Sequence, residues 1–247
     1  MQIAQSIEIP SVQIRVLSTI VDKSPNKVIS VCLKAAQVIE DAFERVEALD
    51  VLADKYPDIF IPLILESIKS VDNAFFQELL LSNLVANKLP DQFVPDYIQV
   101  AQAVNEAYYQ AKALSVVVDK SPESVIPLVL QTIHDIENIY HRFSVLNAVA
   151  SQRPSEIMPL VLQTTLAIED MYLQTSALAK VTDKLSGLSA DDLISLWKTM
   201  LHTLEQGKRV NLLLGIEAFV PAIAVLGGST AILETVQSIQ DVSRWWS

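Results

Sequence analysis

The sequence predicts an all-α fold, a right-handed α-solenoid of about seven antiparallel helix pairs with a repeat of ~32 residues. Three series of markers carry that prediction. Short stretches related to D-K-x-P end at 25, 57, 90, 122, 154 and 186, and VDKSP itself stands whole at 21–25 and again at 118–122. Aromatic residues recur at Phe43, Phe75, Tyr108, Tyr140 and Tyr172, and a second set of prolines at Pro62, Pro95, Pro127 and Pro159. Every spacing is 32 or 33 residues, so the three series run in phase.

Each unit reads as two helices. In AFERVEALDVLADK (42–55) apolar residues fall at 42, 43, 46, 49, 52 and 53; in IFIPLILESIKSV (59–71) they fall at 61, 64, 65, 68 and 71. Both follow the 3.6-residue period, and no alternation of the kind strands require is sustained. The joins VIED-AFER, SVDN-AFFQ, DIEN-IYHR and AIED-MYLQ place Asp41, Asn73, Asn138 and Asp170 as N-caps of the first helices. Asp41 and Arg45 are expected to pair at i, i+4. Second helices begin at a proline: in SPES, Ser121 is a candidate N-cap and Pro122 takes the first helical position, where its missing N–H costs nothing. A proline such as Pro62 deep in a helix would remove a hydrogen bond and clash with the preceding turn. The second helices are therefore expected to start late, after a 3₁₀-like lead-in.

The units are 10–41, 42–73, 74–106, 107–138, 139–170, 171–206 and 207–247, forming one solenoid domain over 1–247. One hairpin cannot bury both its apolar faces, so neighbours must stack. The sixth unit carries the extension SGLS (186–189), in which Ser189 and Asp192 suit a capping box. The seventh lacks D-K-x-P and is expected to be a C-terminal cap, a buried hairpin broken at Pro221 and Gly227-Gly228. Glu217, Pro221 and the glycine pair argue against a membrane span in 211–233.

Composition narrows the classes of function. The chain is 51% hydrophobic with mean hydropathy +0.33, far from the signature of disorder. Its net charge of −11 repels phosphate backbones, so no nucleic-acid partner is expected. One cysteine, Cys32, and an N-terminus without a basic and apolar leader pattern suit a cytoplasmic setting.

ALDVLADKYPDIFIPLILES (48–67) and ALSVVVDKSPESVIPLVLQT (113–132) resemble bacterial helical-hairpin repeats of the form A-L-x-x-[VIL]-A-x-x-x-P-x-x-[VIL]-x-P-x-[VIL]-x-x-[AT]. Leu226-Gly227-Gly228, Ser238-Ile239-Gln240-Asp241-Val242 and Arg244-Trp245-Trp246 resemble the ending of such arrays in cyanobacterial and related proteins, with Ser238 where alanine is usual. The resemblance covers nearly the whole chain. It implies a partner-binding role, such as that of the C-terminal sensing repeats of multidomain signalling NTPases, and carries no catalytic residue across. The likeness to tetratricopeptide and HEAT-like repeats is architectural. No P-loop occurs, since GKR at 207–209 lacks the upstream glycine.

Chemistry is sparse. Glu137 and His141 have a metal-ligand spacing but no third ligand nearby in sequence, and Asn138 is expected to interrupt the helix between them. Cys32 sits in the apolar stretch VISVCLKAA, as a small buried residue would. No enzyme, cofactor or metal is expected. A surface is. The fourth residue after each second proline gives the row Lys34, Glu66, Gln99, Gln131, Gln163 and Thr199, and three further on lie Gln37, Lys69, Gln102, His134, Leu166 and His202. Stacked second helices would turn these into ladders able to hydrogen-bond a protein or peptide; the competing reading is that they are the solvated side of amphipathic helices. The expected function is a non-enzymatic scaffold or adaptor using this face, as a monomer or a homodimer through the seventh unit. The alternative is the ligand-sensing region of a larger signalling protein. Trp197, Trp245 and Trp246 are either packing in the cap or an exposed aromatic hot spot.

Overall fold

A computed structural model describes residues 7–21, 24–87, 89–186, 188–205 and 209–245. The described residues are helical, with no strand, in two compact units, 1–132 and 133–247. The first contains α1 (Pro10–Ser18), α2 (Pro25–Gln37), α3 (Ala42–Ala53), α4 (Pro57–Lys69), α5 (Ala74–Asn87), α6 (Val94–Gln102), α7 (Ala107–Val116) and α8 (Pro122–Thr132). The second contains α9 (Ile139–Val149), α10 (Pro154–Leu166), α11 (Met171–Ser186), α12 (Ala190–Glu205) and α13 (Arg209–Trp245). In the first unit each helix packs on the next, and α1, α3, α4 and α5 also on the next but one. The second unit pairs α9 with α10, α10 with α11 and α12 with α13, and joins α9 to α11, α10 to α12 and α11 to α13.

Two chemistries start the helices. Asp41, Asn73, Asn138 and Asp170 each accept a hydrogen bond from the backbone N–H three residues on, at 2.7, 3.1, 3.0 and 2.8 Å, so the caps read from sequence are present. Ser189 Oγ accepts from Asp192 N at 3.2 Å, the cap half of the anticipated box, and donates to the Asp192 carboxylate at 2.7 Å. The second helices α2, α4, α8 and α10 start instead on Pro25, Pro57, Pro122 and Pro154. The residue ahead of a proline is barred from the α region, and Ser24, Tyr56 and Arg153 accordingly hold φ between −157° and −135°.

The late start occurs only in α6, where a 3₁₀ turn (Asp91–Phe93) precedes a helix with Pro95 in its first turn. Pro62, Pro127 and Pro159 lie inside α4, α8 and α10. Pro62 and Pro127 are exposed, as are Asp58 and Glu123, whose carbonyls lose a helical partner. On that face water can serve the freed carbonyl, so the helix continues past the proline.

The residue four beyond each cap closes the join between pairs. Arg45 donates to the Ile39 carbonyl and to Ser67 and Ser70 Oγ at 3.0, 3.0 and 3.1 Å; the expected pair with Asp41 is replaced by this clamp. Arg142 donates to the Ile136 carbonyl at 2.7 Å, Gln77 to Ile68 at 3.3 Å, Gln174 to Leu166 at 3.2 Å and Gln110 to Gln102. A side chain with several donors thus satisfies the orphan carbonyls where the preceding second helix ends.

The core follows the apolar stripes. In α3 and α4, Leu49, Leu52, Phe60, Ile61, Ile64 and Ile68 are all buried, each stabilising the fold by about 1.5–3 kcal/mol relative to exposure. The end of the chain departs from expectation. The stretch after Pro221 is not a buried hairpin: α13 runs through Pro221 and breaks only at Gly228 (φ 64°, ψ −160°), a conformation open to glycine. Phe219, Ala222 and Ile223 are buried, yet none of the residues 224–241 is. Leu213–Asp241 is long and apolar enough by composition to cross a membrane, but the glycine break divides it. Val225 and Leu233 are 61% and 62% exposed because no described helix covers that face.

Candidate protein-docking surface

The repeat that sets the caps also sets the residues behind them. After the cap comes a small residue, then one or two aromatics: Asp41-Ala42-Phe43, Asn73-Ala74-Phe75-Phe76 and Glu106-Ala107-Tyr108-Tyr109. The first turns of α3, α5 and α7 therefore carry their rings side by side. Phe43 meets Phe76 edge-on at 5.7 Å between ring centroids, Phe76 meets Phe75 at 5.3 Å, Phe75 meets Tyr109 at 5.9 Å and Tyr109 meets Tyr108 at 5.1 Å. These separations and tilts are those aromatic pairs favour. Five rings thus form a continuous run within the first unit, and Phe75 and Phe76 are 44% and 43% exposed.

At one end of the run lies a cleft of about 690 Å³ between the starts of α3 and α5 and the end of α4. Phe43 and Phe76 form its apolar wall; Glu40, Asp41 and Asp72 stand exposed at its rim. Arg45 also lines it, but its guanidinium is held by Ile39, Ser67 and Ser70. Among the described residues no ion pair joins Glu40 or Asp72. In the second unit the corresponding ring, Tyr140, lies 6.2 Å from Phe143, over which Lys180 Nζ stands at 6.0 Å.

Of the rows anticipated on the second helices, Lys34, Gln37, Glu66, Lys69, Gln99, Gln102, Gln131, His134 and Gln163 are exposed, whereas Leu166 is half-buried. The side chains of Thr199 and His202 lie outside the described residues. Lys69 pairs with Glu66 at 3.0 Å, and Gln37 and Glu66 share a cleft of about 310 Å³ with Leu33 and Leu63. His134 sits not on α8 but in the 3₁₀ turn Ile133–Asp135.

Glu137 and His141 are not on one helix, because Asn138 caps α9 between them, and no group of three metal-ligating side chains occurs among the described residues. Cys32 is fully buried and burial pushes its thiol up to about 11, away from the thiolate a nucleophile needs. Trp197 packs on Phe219 at 5.2 Å, as cap packing would, beside a cleft of about 410 Å³ lined also by Ala231, Thr235 and Ser238. Thr235 and Ser238 spend their hydroxyls on Ala231 and Glu234 carbonyls one turn back. The Trp245 side chain and Trp246 lie outside the described residues.

In the sequence Phe43, Phe75 and Tyr108 mark the phase of the repeat, and the surface they make goes unread. The signal for it is the doubled aromatic, FF at 75–76 and YY at 108–109, where the repeat elsewhere carries a single ring, as at Phe43 and Tyr140. Compared with protein-family models, with curated proteins and with solved structures, the chain matches none.

Proposed function

We propose that this chain is a non-enzymatic protein-docking module, its helix pairs stacked as an α-solenoid and its principal contact the aromatic run on the first turns of α3, α5 and α7. The observation that carries the reading is the exposure of Phe75 and Phe76 within a linked set of five rings. Rings with only two side-chain torsions lose little entropy on docking and provide large contact areas, which is why aromatics dominate interface hot spots. Packing of each helix on its neighbours along the chain supports the stacked arrangement in the first unit. Small-angle scattering tests it: a solenoid has a radius of gyration above the value of about 18 Å for a compact chain of this length.

The role is tested by affinity capture from the source cell with three baits: the native chain, F75A/F76A and Q99E/Q131E/Q163E. A protein recovered by the first and third but not the second supports the aromatic surface. Loss with the glutamine variant alone moves the surface to the second helices. Equal recovery by all three overturns both.

A further inference from the structure

Resting on that docking reading, we propose that the occupant of the aromatic run is a basic peptide segment, with a lysine or arginine head seated in the cleft that Phe43 and Phe76 wall. The wall of the cleft is two π-faces and edges, which bury the stem of a long side chain as well as any aliphatic one. Its rim decides the charge. Glu40, Asp41 and Asp72 face solvent there, while Arg45, the cation in the lining, is fixed by three hydrogen bonds to its own fold and is not free to turn outward. A cation beside a phenyl face with carboxylates at the edge gains from both. An acidic segment would meet like charge at the same rim and is excluded.

The pattern continues along the run. Glu106 is exposed immediately ahead of Tyr108 and Tyr109, so carboxylates recur beside rings with the spacing of the helix pairs. In the second unit a cation of the chain itself, Lys180 Nζ, stands 6.0 Å from the buried Phe143 ring. A partner with several basic residues among apolar ones fits this surface, and the whole-chain charge of −11 favours its approach.

The test is selection from a phage-displayed library of random peptides on the immobilised full chain, followed by fluorescence anisotropy of the selected peptides at low and high salt. Three variants are compared with the native chain: F76A, which removes a half-exposed ring; E40Q/D72N, which keeps shape and removes charge without touching the caps Asp41 and Asn73; and Q99E/Q131E/Q163E as a control away from the rings. Circular dichroism establishes that each is folded. The expected result is selection of Lys- and Arg-containing peptides whose affinity falls about tenfold in F76A and about threefold to tenfold in E40Q/D72N, the second effect shrinking as salt rises. Neutral or acidic peptides that still lose affinity in F76A overturn the basic occupant and leave the docking surface standing. Peptides indifferent to F76A, or no selection by the folded native chain, overturn the surface together with its occupant.

Discussion

The helix pairs α3–α4 and α5–α6 occupy successive repeats and differ at their centres. Val46 and Ile64 are buried in the first; the positions one repeat later are Glu78 and Tyr97, both buried too. Glu78, with 2% of its side chain exposed, takes Lys112 Nζ at 2.8 Å and Ser82 Oγ at 2.6 Å, so each oxygen is satisfied. Tyr97 donates its hydroxyl to the Ala113 carbonyl at 2.8 Å. The repeat dictates where a side chain goes and that it be enclosed. What it carries is free to change, provided each polar atom there finds a partner, as Glu78 does on its own helix and on α7 and Tyr97 does on α7.

The sharpest way to break this equivalence is to remove one member of the ion pair. Lys112→Met leaves a carboxylate enclosed with one hydroxyl for company. Loss of a partner in a buried pair costs about 3–5 kcal/mol, and because Lys112 is 43% exposed the low end applies. Denaturant unfolding should register it as an early transition. Replacing both, E78L/K112M, gives this repeat an apolar centre like its neighbour and should restore stability to within about 1 kcal/mol of the native chain or above it. A double variant as weak as the single one would mean the pair shapes the packing of α5 on α7 and is not merely tolerated.

Tyr97→Phe is a smaller change. It deletes one buried hydroxyl and strands the Ala113 carbonyl, at a cost of about 1 kcal/mol. Burial, with the Glu78 carboxylate added, pushes the phenol well above its ordinary value. Alkaline titration of tyrosine absorbance should therefore show Tyr97 ionising only as the chain unfolds, and E78L should not bring it into the normal range, because burial is the larger cause.

Much of this is legible in the sequence, and the failures share a cause. Caps at Asp41, Asn73, Asn138 and Asp170 are local: a short polar side chain meets an amide three residues on, whatever surrounds it. The interior prolines defeat a sequence reading because the penalty for Pro62 and Pro127 depends on whether the freed carbonyl faces water, which only the packed helix determines. Lys112 reaching Glu78 across 34 residues has no trace in either residue's own neighbourhood. The aromatic run is half visible, as a period without a direction. In α13 apolar composition suggests burial, although Val225 and Leu233 lie open.

The finest contrast between the two pairs lies at their entrances. Asp41 and Asn73 make the same cap on α3 and α5, one charged and one neutral. Alanine at either should cost about 1 kcal/mol from the lost hydrogen bond. Asp41→Ala should cost a further 0.3–1 kcal/mol or so, since its carboxylate also faces the positive end of the α3 dipole. Salt screens that second part and not the first, so the two costs should converge as ionic strength rises. If Asp41→Ala stays more damaging in high salt, the excess belongs to the shorter 2.7 Å bond and not to charge. If the costs are equal at all salt concentrations, the repeat treats aspartate and asparagine at this position as one residue, and the carboxylate is free for whatever enters the neighbouring cleft.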